Sequence, residues 1–194
     1  MKENPTTKVW DPLVRLFHWV LVASFTAAYL SQEDFITVHT WAGYSIGGLL
    51  VIRALWGFIG SKHARFRDFI YRPKTIIQFL QDTARLQAKR YLGHNPAGGA
   101  MVILLLISLL ITVSSGLIVY GVEDHAGPLA NWFSAGFPQG WGDSGEAIHE
   151  FFANFTLLLV LAHLLGVFVE SLIHKENLVA AMFSGFKAKQ NPPD

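Results

Sequence analysis

The 194-residue chain is 52% hydrophobic and only 15% charged, carries a formal net charge of +1, and has no cysteine. Abundant apolar residues with few charges point to an integral membrane protein, and a near-neutral total gives no sign of a nucleic-acid partner. The lack of cysteine excludes disulfides, thiolate metal sites, iron–sulfur clusters and covalent C-x-x-C-H haem attachment, so any haem would be held non-covalently.

The N-terminus makes a poor signal peptide, because its first apolar run opens only after Asp11, Pro12 and Arg15 and contains His18 and Trp19. It reads as a retained transmembrane helix. Four apolar segments have spanning length, at about residues 13–30, 38–59, 100–120 and 148–173. The connection 31–37 is short enough to join an antiparallel pair. The connection 60–99 is long and basic. Within it, 73–91 could form a surface helix: Pro73 suits a first turn, and Ile76, Ile77, Leu80 and Ala84 share a face. A solvated connector would explain the same charges, and membrane lipid with anionic headgroups would attract them in either case. The connection 121–147 is rich in glycine and aromatics, including Trp132, Phe133, Phe137, Pro138 and Trp141.

Lysine and arginine placement sets the expected orientation. Lys2, Lys8 and Arg15 lie at the N-terminal end, eight basic residues lie in 60–99, and Lys175, Lys187 and Lys189 follow the last span. The connections 31–37 and 121–147 contain neither Lys nor Arg. By the positive-inside rule, both termini lie in the cytoplasm. The expected fold is an all-α, four-helix up-down bundle, a single domain over 1–194 in a bacterial inner membrane.

Four of the eight histidines fall at membrane depth: His18, His39, His149 and His163. Ionisable side chains in hydrocarbon usually face a bundle interior and serve a function there. His149 and His163 are fourteen residues apart, a separation that advances roughly 21 Å along an α-helix and returns to within roughly 40° of one direction. Depth pairs His39 with His149 on the outer side and His18 with His163 on the inner side. A bis-histidine pair across a bundle is a natural axial clamp for b-type haem, whereas tetrahedral zinc would want four ligands at one level. A proton or ion pathway would bring intramembrane carboxylates as well, and the spans offer only Glu150 and Glu170 near the ends of the fourth. His63, His94, His125 and His174 read as surface residues.

Arg53 follows His39 by fourteen residues, on the same face and one level deeper, where a guanidinium could meet a haem propionate. Snorkelling to the interface is the plainer account. Arg15, one turn before His18, is a second candidate for that role. Gly43, Gly116 and Gly166 could let helices or a flat macrocycle approach closely.

The stretches VWDPLVRLFHW, HTWAGYSIGGLLVIRALWGFIGSKHARF, NPAGG and IHEFFANFTLLLVLAH resemble the bacterial di-haem cytochrome b561 superfamily. Within it, they look most like the branch of hydrogenase cytochrome b subunits and related stand-alone cytochromes. The resemblance implies two haem b groups, one ligated by His18 and His163 and the other by His39 and His149, and Arg53 matches a second-span arginine in relatives. It also implies electron transfer between the quinone pool and a redox partner: a c-type cytochrome, or a hydrogenase or dehydrogenase subunit. The outer connections carry Glu33, Asp34, Glu123, Asp124, Asp143 and Glu146 without a basic residue. That face would steer a basic protein to the outer haem and repel an anion. Two alternatives follow: a superoxide:quinone oxidoreductase, and a membrane anchor subunit of a hydrogenase or dehydrogenase complex.

Overall fold

Each apolar run expected from the sequence is a helix in the computed structural model, which describes residues 6–32, 34–133 and 141–189. In chain order the elements are β1 (Thr6–Lys8), α1 (Pro12–Ser31), α2 (Ile36–Ile59), a 3-10 turn (Lys62–Ala64), α3 (Phe66–Phe69), α4 (Pro73–Ala84), α5 (Pro96–Val122), α6 (Ala130–Phe133), α7 (Trp141–His174), α8 (Leu178–Ser184) and β2 (Phe186–Ala188). Among the described residues, α1, α2, α5 and α7 are long and apolar enough to cross a membrane. Their surfaces expose large apolar side chains such as Leu16, Phe58, Leu110, Leu165 and Phe168, which hydrocarbon solvates and water does not. The chain is a multi-pass, helical membrane protein. The helical fold agrees with the all-α expectation, and beside it Thr6–Lys8 and Phe186–Ala188 pair as a short antiparallel ribbon with Thr7 opposite Lys187.

Two compact units divide the chain, one of residues 1–20, 52–102 and 162–194 and the other of 21–51 and 103–161. All 15 lysines and arginines belong to the first and none to the second. They are therefore called the basic and the acidic unit.

In the basic unit, Val9, Trp10, Val14 and Ala64 form a buried cluster with Trp56 and Met182 packed against it. Asp11 organises it. Its carboxylate caps α1 by accepting from the Val14 N–H at 2.9 Å, and it also accepts from Trp56 Nε1 at 3.1 Å and from the Ser61 hydroxyl. Gly185 ends α8 at φ +88°, a conformation that favours glycine. Its carbonyl accepts from the N–H groups of Val9 and Trp10 at 2.8 and 3.1 Å. Arg90 then ties the segment after α4 to Glu176 and to the Ala188 carbonyl.

The acidic unit is built on Ala28, Ala42, Ile46, Leu50 and Leu109. Its helices are also joined by small polar pairs: Ser24 with Ser45 at 3.0 Å, Ser108 with Thr156 at 2.7 Å, and Tyr29 donating to Asn154 at 2.8 Å. Such bonds join membrane helices because an unpaired hydroxyl or amide in hydrocarbon is costly.

Two expectations change. The fourth helix begins at Trp141 rather than near 148, so 121–147 is not one loop. Gly142 made that segment look irregular, but its bare Cα faces the Glu123 side chain, where a Cβ would lie 2.5 Å from the carboxylate. Asp143 in the first turn complements the helix dipole. In the 73–91 stretch the helix stops at Ala84, and it buries Phe79 while Ile77 and Leu80 stay exposed. Lys2, Glu33, Phe137 and Pro138 lie outside the described residues.

Burial opposes ionisation of Asp11, but hydrogen bonds from Ser61, Val14 and Trp56 outweigh it and hold the carboxyl below the usual carboxylate range. A group depressed in this way stabilises the fold above its unfolded pKa, and the contribution fades as pH falls through the folded value. Asp11→Asn is expected to cost about 1–2 kcal/mol at neutral pH, read as a lower thermal midpoint in detergent. The gap from wild type should close below the carboxylate range.

Candidate cofactor sites

The acidic unit brings His39 of α2 and His149 of α7 together, with ring centroids 5.8 Å apart at 72°. His39 Nδ1 donates to the Ala28 carbonyl at 2.9 Å, and His149 Nδ1 donates to the Thr112 carbonyl at 2.8 Å. A carbonyl only accepts, so both Nδ1 atoms carry the proton and both Nε2 atoms keep a free lone pair. This is how protein frameworks orient a metal-binding imidazole, by engaging its other nitrogen. Gly116 lies against this arrangement, since a Cβ there would sit 2.7 Å from His149 Cε1. Its place is thus beside the imidazole. Gly43, one turn along α2 from His39, has nothing within 4 Å of where a Cβ would be.

His18 of α1 and His163 of α7 both belong to the basic unit. His18 Nδ1 is buried without a hydrogen-bond partner, and the ring meets Trp19 edge-on at 4.9 Å. Gly166, three residues beyond His163, also has open space where a Cβ would point. Arg53 is 3% exposed, with its guanidinium 5.1 Å from the Phe66 ring and 5.7 Å from the Phe69 ring, and Nη1 has no partner. Arg15 is turned elsewhere. It donates to the Phe183 carbonyl at the end of α8, while its Nε stays buried and unpartnered.

Three histidines read as surface residues are not. His63 Nδ1 pairs with Asp68 at 2.8 Å, and His174 lies 3.2 Å from Glu170. His94 packs between Trp10 and Phe69 at 4.7 and 4.6 Å, with Nδ1 buried and unpartnered. Burial, reinforced by the charge of Arg53, pushes its pKa down to about 3. Its signal in the sequence was the adjacent Gly93 and a helix-starting Pro96 two residues on, a context that fixes a loop rather than freeing it. His125 alone is exposed, as expected.

No group of three or more His, Asp or Glu side chains suited to a metal gathers among the described residues. Paired imidazoles with free Nε2 atoms, open space beside glycines one turn away, and an unpartnered buried guanidinium suit a planar macrocycle bearing carboxylates.

Comparison with known proteins agrees with this chemistry. The family model described as prokaryotic cytochrome b561 matches residues 9–185. A protein of Bradyrhizobium diazoefficiens named a probable Ni/Fe-hydrogenase B-type cytochrome subunit is 22% identical, covering 94% of this chain and 86% of its own. Proteins with the same name from Rhizobium leguminosarum bv. viciae and Cupriavidus necator are 22% and 24% identical. These matches cover 94% of this chain and 89% of the first relative, and 96% and 88% for the second. No solved structure matches.

Replacing Gly116 by Val should push the His149 imidazole off the Thr112 carbonyl. Disturbing such an orienting contact weakens ligation by roughly tenfold or more, which the haem retained per purified chain will show in an alkaline pyridine spectrum.

Proposed function

The chain belongs to the prokaryotic cytochrome b561 family, whose members carry electrons in the membrane through haem b, and from that premise we propose a di-haem carrier linking a redox protein to the quinone pool. One haem is assigned to His39 and His149, the other to His18 and His163. The observation that carries this reading is the pair of Nδ1–carbonyl bonds, which leaves two imidazole nitrogens free on facing rings 5.8 Å apart. The second pair is supported by a shared unit, an unpartnered His18 and the open space at Gly166.

Bound haem supplies one-electron chemistry at its iron. The chain contributes the rest. Ala28 and Thr112 carbonyls set the tautomer and tilt of two ligands, Gly116 makes room for one ring, and Arg53 offers a buried cation to a propionate. His149 and His163 both lie on α7, so one helix would supply a ligand to each site.

The basic unit is assigned to the cytoplasmic side of a bacterial inner membrane. In the acidic unit Asp34, Glu123, Asp124, Asp143 and Glu146 are all exposed, a surface suited to a basic electron-transfer protein. The relatives are named as hydrogenase subunits, so a hydrogenase or similar dehydrogenase is the partner class to test first. That acidic surface disfavours superoxide as substrate.

Purified protein is expected to hold two haems per chain. His163→Ala and His149→Ala should each remove one and leave the other, with the survivors differing in midpoint potential. A single haem in wild type, or loss of the same haem in both variants, would overturn the assignment. Reduction by quinol should be fast, and superoxide should reduce the haems slowly. A reporter fused to the C-terminus should be active only in its cytoplasmic form.

A further inference from the structure

Residues 93–99, Gly-His-Asn-Pro-Ala-Gly-Gly, have no part in ligating either haem, yet the fold holds them tightly. Asn95 caps α5, its side-chain carbonyl accepting from the Gly98 N–H at 2.6 Å, and Pro96 behind it is fully buried. Gly99 lets the first turn of α5 press on Phe69, where a Cβ would meet the Phe69 carbonyl at 2.1 Å. Gly93 lies against His63, which is itself held by Asp68. Between these fixed points His94 is clamped by Trp10 and Phe69, and Tyr71 donates to its carbonyl at 3.2 Å.

A side chain so firmly placed ends in an unanswered polar atom. His94 Nδ1 is buried without a partner, and so is Nη1 of Arg53. Both groups rest on the ring of Phe69, the imidazole at 4.6 Å and the guanidinium at 5.7 Å. Leaving a buried polar group unsatisfied costs about 1–3 kcal/mol, and more for a charged one. Asp11, the carboxylate whose charge Arg53 feels, is already taken by Val14, Trp56 and Ser61. One cation and one imidazole nitrogen able to carry a proton, desolvated around the same ring, suit a single anionic oxygen group.

We propose that His94 and Arg53 jointly bind a propionate of the haem assigned to His18 and His163. This rests on the two-haem reading and gives a binding role to a histidine outside the four ligands. The loop 93–99 is then a rigid mount that delivers one hydrogen-bond donor, and Phe69 is the spacer that sets its distance from Arg53.

The test compares His94→Phe and His94→Gln in the full-length holoprotein, by redox titration and by the propionate bending band in resonance Raman spectra. Without its donor the propionate bears more negative charge and favours ferric iron. His94→Phe should therefore lower the reduced-to-oxidised ratio of one haem roughly tenfold, a downward shift of about 59 mV for one electron. The affected haem should be the one lost in His163→Ala. Its propionate band should move, the other haem should not respond, and His94→Gln, which keeps an N–H donor, should stay near wild type. Unchanged potentials and bands in His94→Phe would overturn the proposal, as would a response confined to the other haem. So would His94→Gln behaving like His94→Phe, which would mark a role in shape alone. Should His94→Phe fail to retain haem, His94→Gln decides, supporting the proposal if it keeps both haems and overturning it if it loses one. A single haem in wild type would instead defeat the two-haem reading before any His94 variant is made.

Discussion

An imidazole inside a membrane helix needs something for each of its two nitrogens, and that constraint shapes this protein more than any other. Hydrocarbon offers no hydrogen-bond partner. His39 and His149 meet half of the requirement with main-chain carbonyls, Ala28 on α1 and Thr112 on α5. The bond is possible because α1 and α5 come close enough to present those carbonyls, and Gly116 keeps the approach clear. The remaining nitrogen of each ring is then committed to whatever lies between them. For the haem proposed above, those two nitrogens are the ligands on offer.

The two units meet the same demand differently. In the acidic unit several small polar side chains pair with one another, as in Ser108 with Thr156 and Tyr29 with Asn154. Among the described residues, the buried side-chain nitrogens left without partners, including those of His18, Trp19, Arg53 and His94, fall in the basic unit. A fold tolerates such groups only where something else satisfies them. The tight ties around them show that this is not looseness. Asp11 links the start of α1 to the end of α2, Gly185 binds the strand leading into α1, and Arg90 holds Glu176 and the C-terminal strand.

Span number and the four histidines were legible in the sequence for a simple reason. Hydrophobic runs of membrane length and ionisable residues inside them are both one-dimensional signals, and a fourteen-residue spacing maps directly onto one helix face. The start of α7 was not legible, because Gly142 and the polar residues after it have the composition of a loop and gain their helical packing only from Glu123 and the neighbouring helix. His94 was missed because a histidine in a polar connection resembles any exposed one until Trp10 and Phe69, distant in sequence, close on it. Arg15 sits one turn from His18, yet its guanidinium reaches the end of α8 instead.

The sequence alone thus determined a four-span membrane protein, its charge asymmetry and the four histidines at membrane depth, since composition and helical periodicity need no third dimension. Tertiary structure decided which nitrogen of His39 and of His149 carries the proton, where Arg53 is buried, and that His94 ends beside the same phenylalanine. Those outcomes depend on carbonyls and rings brought together from separate helices, and no local pattern encodes such a meeting.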